Sequence, residues 1–373
     1  MAFIPRDDTS VLGRWWWTVD RWSVVGLLLL MGFGAVMAFA ASPSVALREN
    51  FEQFHLANRH ILYLGASLTA LFVCSLFNLS TVRKLGLVGI LVSIVLLIAV
   101  LVLGEADKGA KRWLSFGFAD LQPSEIAKPL FAVCVAWLFA LDRSTNLRWP
   151  LVVQLLLLGV MLLLLMLQPD VGQSIVILAI WGAQFFVAGY NLLWVAGGAV
   201  IAALAFTVAY IREEHVRFRI QSFFDPEVGD QYQVTRSLEA FIEGGLFGKG
   251  PGEGVSKALV PDVHADFVFA AMGEEFGMVA CVLVVSIFLI LILRSLLRLM
   301  RSNNLFVIVA GVGFLTQFGF QAVINMSTAL NLMPTKGMTL PFISYGGSSM
   351  LGMAITMGLL LAITRRRPKW DEG

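Results

Sequence analysis

About ten apolar windows of membrane-spanning length recur along this chain of 373 residues. A bilayer core about 30 Å thick needs about 20 apolar residues per helix, and lipid offers backbone groups no hydrogen-bond partner. Since 58% of the residues are hydrophobic and only 14% are charged, a soluble domain is excluded. The predicted fold class is all-α, a polytopic membrane protein whose helices occupy residues 22–42, 60–78, 85–103, 123–141, 149–168, 171–189, 191–211, 263–293, 305–330 and 342–364.

The distribution of lysine and arginine predicts the orientation of these helices. Short segments on the N-terminal side carry roughly twice as many basic residues as those on the other side, so the N- and C-termini are expected to be cytoplasmic. We expect one membrane domain over residues 1–373. Its predicted parts are a cytoplasmic N-terminus (1–21), helices 1–7 (22–211), a large extracytoplasmic loop (212–261), helices 8–10 (262–364) and a cytoplasmic tail (365–373).

Charge and cysteine content exclude several classes of function. A net charge of +2, without a basic patch that interleaves aromatic residues, argues against nucleic-acid binding. The three cysteines lie far apart in apolar windows with no histidine at zinc-ligand spacing, so we expect neither a disulfide nor a zinc site.

The loop before helix 4 places two opposite charges at the membrane. Glu125 and Lys128 are three residues apart, so they meet on one face of the first helical turn. We predict a structural ion pair that lets both charges enter the membrane together, with a pair facing substrate as the alternative. Asp170, which follows Pro169, is the expected N-cap of helix 6.

The long outer loop begins with an amphipathic, arginine-containing segment. Arg217 would meet phosphate there, and its spacing leaves open whether that phosphate belongs to bulk lipid or to a specific substrate. The glycine-dense stretch after residue 244 is expected to be mobile. Gly248 and Lys249 resemble the end of a P-loop, but Gly250 stands where serine or threonine is required, so no nucleotide site is predicted.

Three carboxylates enter helix 8. Asp266 is expected in the first turn or two, at the outer rim, where a carboxylate in a partly dry cleft can act as a general base. Glu274 and Glu275 lie deeper, and we expect them to face the bundle interior because an unpaired charge in hydrocarbon is costly.

The last outer loop carries a lysine on an irregular turn. Lys336 stands between Pro334 and Gly337. Irregular backbone at this depth is tolerated where it lines a cavity or is covered by protein. Lys336 either anchors at the headgroups or neutralises a diphosphate leaving group.

An ordered set of motifs resembles one family. "GAKRW", "LQPSEIAK", "QPD", "GGLFGKG", "VHADFVFA", "GEEFG" and "LPFISYGGSS" follow one another as in the SEDS family of peptidoglycan glycosyltransferases, over about residues 22–364. "MPTKGMTLPFISYGGSS" is more similar to the division branch than to the elongation branch, which usually lacks this lysine. One departure is Ala265, because members commonly carry threonine there.

The resemblance implies an activity and a set of site residues. It implies polymerisation of lipid II outside the bacterial cytoplasmic membrane at the division septum, with release of undecaprenyl diphosphate. Asp266 matches the aspartate that the family treats as catalytic. Substrate-binding roles are expected for Lys336, Arg217, Lys111, Arg112 and Ser344. No cofactor is certain, and a divalent cation, Mg²⁺ or Mn²⁺, is a possible helper without an evident ligand set.

The resemblance also implies partners and two rival functions. The expected partners are lipid II, the undecaprenyl diphosphate-linked glycan, a class B penicillin-binding transpeptidase and other membrane proteins of the division machinery, and not nucleic acid. One rival is a lipid II flippase, which needs a headgroup path through the whole bilayer. The other is a non-catalytic division scaffold, in which the outer carboxylate is dispensable.

Overall fold

The computed structural model describes most of the chain. It covers residues 10–49, 52–107, 110–115, 117, 120–145, 149–191, 193, 197, 207, 211, 217, 232–254, 263–334 and 337–366. Most of the predicted seventh helix (191–211), most of the long loop and Lys336 lie outside these residues.

The described residues form eleven helices and three short strands. Six of the helices are long and apolar enough to cross a membrane, and two shorter ones, α7 and α11, are also apolar. The elements are α1 (Val11–Thr18), α2 (Arg21–Glu49), α3 (His55–Ser75), α4 (Leu79–Leu103), β1 (Glu105–Asp107), β2 (Ala110–Ser115), β3 (Asp120–Leu121), α5 (Pro123–Thr145), α6 (Trp149–Leu167), α7 (Val171–Val187), α8 (Tyr232–Gly244), α9 (Val268–Leu299), α10 (Leu305–Ala329) and α11 (Gly347–Ile363).

Polar side chains cap the N-terminal ends of several helices. Asn78 accepts a hydrogen bond from the Thr81 amide at the start of α4, and Asn304 accepts one from Phe306 at the start of α10. Asp170 caps α7 by accepting from Gln173, which confirms its predicted role. Each cap satisfies a backbone donor that the first helical turn leaves unpaired.

Glycine lets the helices approach closely at the centre of the bundle. A Cβ on Gly358 of α11 would lie 2.7 Å from the Cβ of Cys74 in α3, and one on Gly352 would lie 2.5 Å from the Glu125 carbonyl oxygen of α5. Small residues at helix crossings are typical of membrane bundles, since packing rather than hydrophobic exclusion holds the helices together. Helix α11 is therefore packed tightly between α3 and α5.

The two ends of the described chain meet at one end of the bundle. The Arg366 amide donates to the Thr18 carbonyl over 3.1 Å, and the Arg365 guanidinium donates to the Thr18 hydroxyl over 3.0 Å. This contact agrees with an even number of membrane crossings. The opposite end, called the loop end below, holds the strands, α8 and the segments 245–254, 263–267 and 330–346.

The segment before α5, which we predicted only as a loop, contains strands. Residues 105–121 contain a three-stranded antiparallel sheet in the order β1-β2-β3. Leu114 on β2 is buried, and it pairs with Leu121 on β3. Because β2 covers the outer end of α4, its backbone groups need partners there, and strand pairing supplies them.

Candidate active site

Asp266 lies in a turn before α9, two residues outside the helix that was expected to contain it. The reason is visible in its hydrogen bonds. A helix would use the carbonyl groups of residues 264–266, but these carbonyls instead accept from Tyr345, Ser344 and Asn325. The helix therefore begins only at Val268, and Asp266 is half-buried at the rim of the bundle.

Three hydrogen bonds hold the backbone on either side of the Asp266 carboxylate. The Tyr345 amide donates to the His264 carbonyl over 2.8 Å, and the Ser344 hydroxyl donates to the Ala265 carbonyl over 2.5 Å. The Asn325 side-chain amide donates to the Asp266 carbonyl over 2.9 Å and also to the Met338 carbonyl over 2.6 Å. This arrangement joins "VHAD" to "LPFISY", two motifs about 75 positions apart in the sequence.

The turn that contains the predicted lysine passes beside the carboxylate. A Cβ built on Gly337, which follows Lys336 in the chain, would lie 3.5 Å from Asp266 Oδ2. Gly337 has a φ of 59°, a conformation that glycine adopts without strain. Lys336 itself lies outside the described residues, so its substrate-binding role stays a prediction.

Ser344 has a supporting position. Its side chain is buried, and its hydroxyl also accepts a hydrogen bond from the Leu340 amide over 2.8 Å. These contacts indicate that Ser344 positions the loop, and its substrate-binding role stays a prediction. Phe342 in the same segment is buried with a φ of 65°, which is uncommon for a bulky residue. Such strain persists only where surrounding contacts fix it, and it often marks functional sites.

An aromatic and cationic cluster adjoins this loop, and the sequence analysis missed it. The Tyr345 ring lies 5.4 Å from His264 and 6.1 Å from Tyr63, whose hydroxyl accepts a hydrogen bond from Arg59 over 3.0 Å. Burial raises the pKa of the Tyr345 phenol although the Arg59 charge opposes it, so the phenol stays protonated at neutral pH. In the sequence, Arg59 stands directly before the apolar window 60–78, at a position that we assigned to a loop.

Of the predicted basic pair on β2, Arg112 anchors a neighbouring loop. It donates to the Pro169 carbonyl over 2.7 Å, and its Nε lies 4.0 Å from the Asp170 carboxylate. Burial raises the pKa of Asp170, and the Arg112 charge opposes that shift. Lys111 is exposed, and its substrate-binding role stays a prediction.

The predicted ion pair between Glu125 and Lys128 is confirmed. Lys128 Nζ lies 2.7 Å from Glu125 Oε2, and both side chains are almost fully buried. Gln173 donates to the same carboxylate over 2.5 Å, and Lys128 donates to Gln321 over 3.1 Å. Gln321 then donates to Ser349 over 3.1 Å, so polar contacts connect α5, α7, α10 and α11.

The glycine-dense segment after α8 is anchored, which corrects our expectation of a mobile loop. The amides of Lys249 and Gly250 donate to the carbonyls of Glu274 and Glu275 over 2.9 and 3.0 Å. Gly277 interrupts α9 with a φ of 75°, and this break frees the carbonyls that the loop then satisfies. As expected, the side chains of Glu274 and Glu275 are buried.

The remaining predictions concern a cation and a divalent metal. Arg217 is an exposed helical residue whose chain neighbours lie outside the described residues, so its substrate-binding role stays a prediction. In the part of the chain that the structure describes, no three His, Cys, Asp or Glu side chains come together as metal ligands. The divalent cation therefore stays a prediction, and no step below uses one.

Comparison with known proteins shows the family. A family model described as a cell cycle protein, FtsW/RodA/SpoVE, matches residues 21–369. A probable peptidoglycan glycosyltransferase FtsW from Caulobacter vibrioides is 41% identical over 97% of this chain and 93% of its own length. The corresponding protein from Coxiella burnetii is 35% identical over 93% of this chain and 96% of its own length.

Solved structures agree with these relatives. A chain from a peptidoglycan synthase complex that coordinates polymerization and crosslinking matches with a TM-score of 0.77, at 26% identity over 93% of this chain and 97% of that chain. Rod shape determining protein RodA from Thermus thermophilus matches with a TM-score of 0.70, at 26% identity over 94% of this chain and 97% of its own. The chain therefore belongs to the FtsW/RodA/SpoVE family, known as SEDS, of polytopic all-α membrane proteins.

Proposed function

We propose that this protein is a peptidoglycan glycosyltransferase that polymerises lipid II into glycan strands and releases undecaprenyl diphosphate. The similar curated proteins are named as probable peptidoglycan glycosyltransferases, and they align over nearly the whole chain. The observation that carries the proposal is the position of Asp266, a half-buried carboxylate beside Gly337 at the rim of the bundle.

In the proposed reaction Asp266 acts as the general base. Its carboxylate accepts the proton of the acceptor sugar's 4-hydroxyl while that oxygen attacks the anomeric carbon of the donor. The bond from the anomeric carbon to the diphosphate oxygen breaks, and the diphosphate leaves on its polyprenyl chain. The anomeric configuration inverts because attack and departure occur on opposite faces.

Cations near the carboxylate would stabilise the departing diphosphate. Lys336 is the first candidate, since the next residue, Gly337, lies beside Asp266 Oδ2. Arg217 and Lys111 follow. Arg59 joins them because its charge acts on Tyr345 and Asp120 at the loop end.

The proposal places the site on the periplasmic face of the cytoplasmic membrane, at the division septum. Two observations support it: the two ends of the described chain meet at the end opposite Asp266, and the relatives named above are FtsW proteins. The similarity to a chain of a peptidoglycan synthase complex supports a penicillin-binding partner, for which we propose a class B transpeptidase.

The test is polymerisation of labelled lipid II by the purified protein in liposomes, alone and with its transpeptidase. Asp266→Asn removes the base but keeps the shape, so we expect turnover to fall by about 10²- to 10⁴-fold while lipid II binding persists. Glu253→Gln is the matched control, because this exposed carboxylate is also at the loop end, and it should retain wild-type turnover.

The same assay separates the rival functions. Wild-type turnover in Asp266→Asn would remove Asp266 from the mechanism. Lipid II that crosses the bilayer without forming polymer would favour a flippase. A protein that neither polymerises nor moves lipid II, yet supports division with Asn at position 266, would be a scaffold.

A further inference from the structure

A cavity of about 400 Å³ lies at the end of the bundle opposite Asp266. It is bordered by the C-terminal ends of α9 and α11, the N-terminal ends of α4 and α10, and the turn between α9 and α10. Helix ends in a membrane bundle lie at the depth of the lipid headgroups. The cavity therefore faces the interface and not the hydrocarbon centre.

Five arginines line this cavity. They are Arg294, Arg298, Arg301, Arg365 and Arg366. Asp20 meets two of them, Arg294 over 2.7 Å and Arg298 over 2.9 Å. Among the described residues, Arg301 and Arg366 have no carboxylate within ion-pair distance, and both side chains are exposed. Among the described residues, positive charge thus exceeds negative charge around the cavity.

Only some of these arginines make contacts that stabilise the fold. Arg365 donates to Thr18 and to the carbonyls of Ser75 and Leu76, which ties the C-terminal segment to α1 and α3. Arg301 and Arg366 lie at the exposed rim instead, where their guanidinium groups can bind phosphate oxygens in a bidentate manner.

Apolar side chains complete the lining. Leu79, Leu297, Val307 and Ile363 border the same cavity between the helix ends. A soluble anion gains no binding free energy from contact with these apolar side chains. A phospholipid, in contrast, places its headgroup among the arginines and the first methylene groups of an acyl chain against the leucines. Basic pockets between transmembrane helices bind anionic headgroups in this way.

We infer that this arginine-lined cavity binds the phosphate headgroup of an anionic phospholipid, with Arg301 and Arg366 as its outer ligands. The binding does not depend on the transferase reaction, because the cavity lies at the other end of the bundle. Retention of an anionic lipid would link the α9–α10 turn to the C-terminal end of α11.

The test measures lipid binding to the full-length, delipidated protein in detergent by native mass spectrometry. The probes are phosphatidylglycerol, phosphatidylcholine and inorganic phosphate. Arg301→Gln combined with Arg366→Gln should weaken phosphatidylglycerol binding roughly thirtyfold, since each cation contributes about a factor of five or six near an anionic surface. The wild type should bind phosphatidylcholine much more weakly.

Arg14→Gln combined with Lys84→Gln is the matched control. Both residues are exposed at the same end of the bundle, outside the cavity, and the pair removes the same charge. This control should bind phosphatidylglycerol like the wild type. Equal weakening in both double variants would overturn the inference, as would equal binding of the two lipids or equal binding of inorganic phosphate and phosphatidylglycerol.

Discussion

Ala265 shows how the residue before the candidate base contributes through its backbone. Members of the family commonly carry threonine at this position, and the chain carries alanine. The observed contact is a hydrogen bond from Ser344 to the Ala265 carbonyl, a group that every residue possesses. The bond that holds this turn therefore needs no hydroxyl at position 265.

Asn325 is the residue that this geometry identifies as positioning Asp266. Asn325→Leu keeps the volume but leaves the Asp266 and Met338 carbonyls without their shared donor, at a cost of about 1–3 kcal/mol for each unsatisfied group. We expect turnover to fall at least about tenfold, with a smaller change in lipid II affinity and an altered pH–rate profile. Lipid II polymerisation across a pH series measures all three.

Gln317→Leu is the control on the same helix. Gln317 is fully buried, and its amide atoms have no hydrogen-bond partner in the described part of the chain. Leucine there removes unsatisfied polar atoms, so stability and turnover should be maintained. Similar losses in Asn325→Leu and Gln317→Leu would assign both residues to general packing.

At the scale of elements, the break in α9 explains two motifs together. "GEEFG" supplies the free carbonyls of Glu274 and Glu275, and "GGLFGKG" supplies the amides of Lys249 and Gly250 that donate to them. In return, the Met278 amide donates to the Gly245 carbonyl over 3.0 Å. The loop thus completes the helix that Gly277 interrupts.

Gly277→Ala should destabilise this junction. Gly277 has a φ of 75° and a ψ of −179°, a conformation in which a side chain costs about 1–3 kcal/mol, and the added Cβ would lie 2.5 Å from the carbonyl carbon of Leu246. We expect the apparent melting temperature in detergent to fall by at least about 3 °C.

The control is Gly159→Ala in α6. A Cβ there meets nothing within 4 Å and replaces glycine inside a regular helix, so the melting temperature should hold or rise slightly. If Gly277→Ala melts like the wild type, close approach of the loop to α9 is not required for stability.

At the scale of the whole molecule, the buried ion pair in α5 and its hydrogen-bond partners Gln173 and Gln321 connect helices that are distant in sequence. Lys128→Met leaves the Glu125 carboxylate without its cation inside the bundle, which costs about 3–5 kcal/mol. We expect a large loss of thermal stability in detergent. Glu125→Gln combined with Lys128→Met should recover most of it, and Lys84→Met, which changes an exposed lysine, should have no effect. A double variant as unstable as Lys128→Met would show that the charge itself is not the cause.

The contact of Asp20 with α9 predicts a pH dependence of the whole bundle. Burial raises the pKa of Asp20, but hydrogen bonds from Arg294 and Ser23 and the charge of Arg298 outweigh it, so the net pKa is lowered. A lowered acid pKa contributes stability that is fully present above the unfolded value of about 4 and is lost as the pH falls through the folded value. The difference in melting temperature between wild type and Asp20→Asn should be constant above about pH 5 and shrink below pH 4. A constant difference down to pH 3 would contradict this assignment.

Much of the architecture was predictable, and each departure has a physical cause. Nine described helices overlap the predicted windows, and the Asp170 cap and the Glu125–Lys128 pair follow rules that operate within one turn of helix. The β2 hairpin, the late start of α9 and the anchored glycine loop were missed. The late start of α9 and the anchored glycine loop depend on backbone groups that pair with another segment of the chain, and sequence periodicity carries no record of such pairing. The strands pair within residues 105–121, but they are too short for the alternation of a strand to stand out.

Hydrophobic length and charge placement by themselves determined that this chain crosses a membrane as a helical bundle, because lipid leaves the backbone no other option. The ordered motifs pointed to the family and to Asp266 by resemblance. Only the tertiary structure decided that Asn325 and Ser344 hold the turn of Asp266, that Arg59 bonds to Tyr63 next to Tyr345, and that five arginines converge at the opposite end. These arrangements arise when separate helix ends and loops satisfy one another's polar groups, which no local stretch of sequence specifies.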